Sequence, residues 1–152
     1  MIKLTIYITF FISLFSCSMF KKGDSSKVAK EEVAILTLEK EPCRGMCESY
    51  RMEVYSDYAI YEGLRYAEKE GVHRVSIDKK QLAMIKDQAS KANFSALNES
   101  YVNEGIADVP RKFITYNGKK ITFHEHESPE ELKQLYTDLE TYLKSLDWKK
   151  EE

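Results

Sequence analysis

Cysteine, histidine and tyrosine carry most of the chemistry this chain can offer, and their spacing narrows what that chemistry can be. The 152 residues include three Cys, three His and ten Tyr. Cys43 and Cys47 flank Gly45 closely enough to close a small disulfide loop in an oxidising compartment. Such a loop is worth roughly 2 kcal/mol of chain entropy, enough to fix a turn but not to hold a domain. Redox catalysis is the sharper alternative, yet it asks for C-x-x-C in a βαβ setting, and the spacing is C-x-x-x-C. His124 and His126 sit two apart; on a strand they would share one side and offer zinc or copper a pair of ligands. A third ligand is not evident, and Glu125 and Glu127 do not complete H-E-x-x-H at helical spacing. Asp57 and Asp108 could pair for sugar chemistry, but each falls at a turn, where Asp commonly caps its own backbone. Neither G-x-S-x-G nor a phosphate-cradling glycine loop occurs. Tyr55, Tyr58, Tyr61 and Tyr66 are good strand residues, and any exposed members suit peptide or glycan contact through ring and hydroxyl.

The elements that must position these residues are legible as patterns. Residues 33–40, 49–56, 58–66 and 72–77 are rich in β-branched and aromatic types and read as four strands. Asp78 with Gln81 three residues on makes a capping box for a helix through about Asn93, with Leu82, Ile85, Ala89 and Ala92 on its apolar face. Asn117-Gly118 lies between two alternating runs, as a type I′ hairpin turn demands. Pairing across it sets Ile114 opposite Ile121 on the core side and places His124 on the solvent side, opposite Arg111. Ser128-Pro129-Glu130-Glu131 reads as N-cap, first-turn proline and capping-box Glu of a second helix, whose stripe from Leu132 to Leu146 must dock on the sheet. Strands, helix, hairpin, helix predict an α+β fold, an antiparallel sheet with two helices packed on one face.

The chain opens Met1-Ile2-Lys3 and runs apolar from Leu4 to Phe15, the order of a secretory signal and too short for a span of roughly 20 residues. The run ends Leu14-Phe15-Ser16-Cys17, which resembles the lipobox of bacterial lipoproteins. That resemblance implies cleavage after Ser16 and acylation of Cys17, each buried methylene of the acyl chains contributing about 0.8 kcal/mol of anchoring. Ser18 stands where many inner-membrane lipoproteins carry Asp, so the resemblance points to the outer membrane of a bacterial envelope. Residues 17–32 are Lys, Ser, Gly and acid with little to bury, as in a flexible tether. The expected organisation is therefore a signal over 1–16, a lipidated cysteine and tether over 17–32, and one α+β domain over 33–148. A net charge of −2 gives no basic excess for nucleic acid or an anionic lipid surface.

Two stretches carry a further likeness, Pro42-Cys43-Arg44-Gly45-Met46-Cys47-Glu48-Ser49-Tyr50 and Tyr55-Ser56-Asp57 leading to Tyr61-Glu62-Gly63. With Asp108-Val109-Pro110 they resemble an uncharacterised domain-of-unknown-function family of bacterial envelope proteins and lipoproteins, over about Val33 to Leu146. Glu48 stands where the family favours Pro, and Tyr58 where it favours the turn Gly. The family brings no activity with it. The expected function is a non-catalytic, lipid-anchored envelope domain without a cofactor that binds a protein, peptide or glycan. A hydrolase or metal-binding protein with a site assembled across the fold is the alternative, and a spacer or assembly subunit a third.

Overall fold

Alternation of apolar and polar residues builds the sheet. The computed structural model describes residues 32–106 and 108–151, so the expected signal, Cys17 and the tether up to residue 31 lie outside the described residues. Strands β1 (Leu36–Lys40), β2 (Ser49–Val54), β3 (Tyr58–Arg65) and β4 (Gly71–Ser76) form a meander. Helix α1 (Lys79–Lys91), a 3-10 turn (Phe94–Ala96) and the two-residue β5 (Ser100–Tyr101) follow. The hairpin β6 (Lys112–Tyr116) and β7 (Lys119–Phe123), a 3-10 turn (Glu125–Glu127), α2 (Glu130–Lys144) and β8 (Lys149–Lys150) complete the elements of the described residues. Among the described residues the eight strands lie in the order β5-β7-β6-β1-β2-β3-β4-β8.

The sheet is mixed rather than antiparallel, which corrects the expected fold class. β5 runs parallel to β7, Ser100 beside Thr122 and Tyr101 beside Phe123, while every other pairing among the described residues is antiparallel. Two residues are too few for a period-2 signal, so neither β5 nor β8 stands out in the sequence. The hairpin keeps its expected register, Ile114 opposite Ile121 and Lys112 opposite Phe123. Asn117 and Gly118 take φ of 47° and 84°, the left-handed pair that a type I′ turn requires.

Leu36, Leu38, Met52, Val54, Ala59, Tyr61, Ile114, Ile121 and Phe123 bury into one cluster with Ile85 and Ala89 of α1 and Leu132, Leu135, Leu139 and Leu143 of α2. The alternate residues Glu39, Arg51, Glu53 and Lys120 form an ion-pair lattice on the opposite side. The first capping box is complete: Gln81 N donates to Asp78 Oδ1 at 2.7 Å, and Asp78 N donates to Gln81 Oε1 at 2.8 Å. The second is not. Ser128 Oγ donates back to the Glu125 carbonyl at 3.1 Å, closing the 3-10 turn, and Pro129 becomes the N-cap without a side-chain bond.

Strand directions sort the connections to two ends of the sheet. Residues 32–35, the Tyr55–Asp57 connection and the Asn117–Gly118 turn share one end, where Ser56 Oγ donates to Glu32 Oε1 at 2.8 Å. The Cys43–Cys47 loop, the turn between β3 and β4, and residues 102–106 and 108–111 gather at the other. Gly63 is required at this second end because a Cβ there would run into the Lys69 carbonyl and the Ala67 methyl as the β3–β4 turn folds back. A Gly63→Ala variant is expected to lose about 1–3 kcal/mol to overpacking, read as a lower denaturant midpoint.

Candidate functional site

The second end of the sheet holds a polar cleft of about 590 Å³, with His124 in its lining. Its walls come from four places in the chain. Cys43 and Cys47 stand at disulfide distance, Cα–Cα 5.5 Å, and Gly45 N donates to Cys43 Sγ at 3.3 Å, so the loop that presents Arg44 is stapled at its base. Arg65 is the last residue of β3, and its guanidinium lies 4.9 Å from the centre of the Tyr66 ring. Arg111 precedes β6, where its carbonyl accepts from Glu41 N at 3.0 Å and extends the β1–β6 ladder by one step. The fourth is formed by Glu104, Ile106 and Val109, next to Asn103.

Asn103 organises that segment. Its backbone N–H donates to His124 Nδ1 at 3.2 Å, its Oδ1 accepts from Gly105 N at 3.0 Å, and its Nδ2 donates to Glu127 Oε1 at 3.2 Å. Two carboxylates then reach across to the arginines: Asp108 Oδ1 stands 3.2 Å from Arg44 Nε, and Glu104 Oε2 accepts from Arg111 Nη2 at 2.9 Å. All four side chains are substantially exposed. Arg65 has no carboxylate within ion-pair distance among the described residues.

The matched family can be named once this geometry is in view, because the cysteine loop, Tyr50, Gly63 and the 108–110 turn all lie in the matched region. Residues 34–143 match a domain of unknown function, DUF6438. The chain belongs to this family. Comparison with curated proteins and with solved structures gave no match. The domain's Tyr50, which closes the cysteine motif, is wholly buried.

Its hydroxyl heads a network between sheet and α2. Tyr50 Oη donates to Glu140 Oε1 at 2.6 Å and stands 3.0 Å from Tyr136 Oη, which donates to the Glu39 carbonyl at 3.0 Å. Lys144 Nζ donates to Glu48 Oε2 at 2.7 Å, pairs with Glu140 at 3.1 Å and lies over the Tyr50 ring. Burial, then the neighbouring Tyr136 and Glu140, push the Tyr50 phenol far above the ordinary tyrosine range, and burial does the same to Tyr136. Both phenols therefore act as donors, not as bases. Burial opposes ionisation of Glu140, but bonds from Tyr50 and Lys144 outweigh it and hold the carboxyl below its ordinary value.

The sequence-predicted residues do not converge on one site. β7 ends at Phe123, so His124 and His126 are not strand neighbours on a solvent face: His124 is buried, with Nδ1 taken by the Asn103 N–H, and His126 is exposed on the 3-10 turn. The neutral His124 ring thus carries its proton on Nε2. Among the described residues no three His, Cys, Asp or Glu side chains gather where a metal ion could be held. Tyr61 is core, while Tyr55 and Tyr58 stack at 4.5 Å with Arg74 over Tyr58, near the other end of the sheet. Tyr66 is 48 % exposed at the cleft end. Asp57 and Asp108 lie at opposite ends and form no pair.

Because its folded pKa is depressed, Glu140 contributes stability that is present above the unfolded value of about 4.3 and lost as pH falls through the folded value. The melting temperature is expected to fall below about pH 4, and Glu140→Gln to flatten that acid limb. Tyr50→Phe, which strips the half-buried carboxylate of its shortest donor, is expected to cost about 1–3 kcal/mol at neutral pH by thermal or chemical denaturation.

Proposed function

We propose that this chain is a lipid-anchored protein of the bacterial envelope, at the outer membrane, whose domain is a non-catalytic binding module for a protein, peptide or glycan. The address rests on the Lys3-to-Phe15 signal pattern and on Leu14-Phe15-Ser16-Cys17, with acylation at Cys17 and a polar tether before the domain. The observation that carries the binding reading is the cleft itself. Three guanidiniums, from Arg44, Arg65 and Arg111, border one concavity at the end of the sheet remote from residues 32–35.

The chemistry of the neighbouring groups supports binding rather than turnover. General base catalysis needs a group that can take a proton near neutral pH and a partner to orient it. Tyr50 and Tyr136 keep their protons, and the His124 ring is oriented by a backbone N–H on Nδ1 rather than by a carboxylate. Arginine offers fixed donors to an oxyanion without proton transfer.

Two measurements test the reading. Cys17→Ser is expected to abolish acyl labelling and move the protein out of the membrane fraction; a variant still labelled and still sedimenting with membranes would refute the anchor. Isotope-labelled protein titrated with soluble peptide and glycan fragments of the envelope is expected to show shifts centred on Arg44, Arg65, Arg111 and His124. Conversion of a fragment into products during that titration would favour the hydrolase alternative instead.

A further inference from the structure

We propose that the cleft takes a carboxylate of an acidic peptide, and that Glu104 and Asp108 hold the carboxylate positions until the peptide displaces them. The inference rests on reading the cleft as a binding site and adds the chemical class of its ligand. Arg44 and Arg111 lie on separate walls, yet each is met by one acid from the same short segment, Asp108 at 3.2 Å and Glu104 at 2.9 Å. Both pairs are solvent-exposed, the Arg44 side chain 80 % and that of Glu104 80 %, so breaking them costs little. Among the described residues Glu104 takes one hydrogen bond from Arg111, at Nη2, and leaves the rest of the guanidinium fork for the two-pronged contact that a ligand carboxylate can make.

Charge makes the exchange directional. With Glu41, Glu104 and Asp108 in place, the three arginines are balanced by three acids. When Glu104 and Asp108 swing outward the cleft becomes positive, and Arg65, which has no acidic partner among the described residues, adds a third donor fork. Pro42, Ile106 and Val109 supply an apolar wall beside these donors, and Ile106 is 37 % exposed. An apolar side chain next to a carboxylate is what a peptide presents. A sugar ring would ask instead for a Tyr, Trp or Phe platform, and among the described residues the cleft lining holds none of these.

The decisive measurement is calorimetric titration of the full chain in detergent with a blocked peptide, acetyl-Ala-Ile-Glu, and with its fully amidated counterpart. The acid form is expected to bind, the amide form to bind at least about tenfold more weakly, and added salt to weaken the acid form. An E104Q/D108N double variant, freed of its own competitors, is expected to bind the acid peptide roughly twofold to fivefold more tightly. Arg44→Gln, at a side chain that is 80 % exposed, is expected to weaken it while the melting temperature stays put. Binding by the wild type that is unchanged or weakened in E104Q/D108N would overturn the exchange. A galacturonate disaccharide that binds where the peptide does not would overturn the peptide class while leaving the cleft as a site; no response at the cleft to any fragment would overturn both readings.

Discussion

The hydroxyl of Tyr50 sits where three parts of the molecule must agree. It is the last residue of the cysteine motif, it lies on β2, and it donates to Glu140 on α2 beside the Tyr136 hydroxyl. A half-buried carboxylate is favoured in its charged form by donors that point at it. Tyr50 and Lys144 supply those donors to Glu140, and Lys144 in turn is held by Glu48, two residues before Tyr50. This closed loop of bonds ties α2 to β2 and to Glu48, next to the stapled Cys43–Cys47 loop whose Arg44 lines the cleft.

What could be read from the residues alone follows from how local each signal is. The α1 capping box and the Asn117-Gly118 hairpin depend on neighbours a few positions apart, and both stand as the pattern implies. Ser128 misleads because two uses of one hydroxyl compete, and closing the 3-10 turn at Glu125 wins over capping α2. His124 misleads for a related reason: period-2 alternation holds only as far as the strand does, and β7 stops one residue short. The parallel partner β5 had no periodic signal to offer.

The site divides in the same way. Tyr136, Glu140 and Lys144 follow one another at intervals of four along α2, a spacing that marks one flank of a helix and could have singled them out. Arg44, Arg65 and Arg111 come from three distant stretches, and only the order β6-β1-β2-β3 brings the ends of those strands to one place. Strand order is set by long-range pairing and leaves no mark in local composition. The cysteine motif was visible as a motif, but its part in presenting a guanidinium was not.

An open sheet of eight strands has two borders, and both are cut short. β5 and β8 are two residues each, and β8 is Lys149-Lys150. Exposed backbone along a long flat border would recruit the border of another molecule, whereas a two-residue strand offers few free ladder bonds and paired lysines repel their own kind. Glu151 N adds one more bond to Val72 and draws the C-terminal residues along the β4 side. Copies of this domain crowded onto one surface would therefore meet through side chains rather than through backbone, and could be packed densely without seeding a shared sheet.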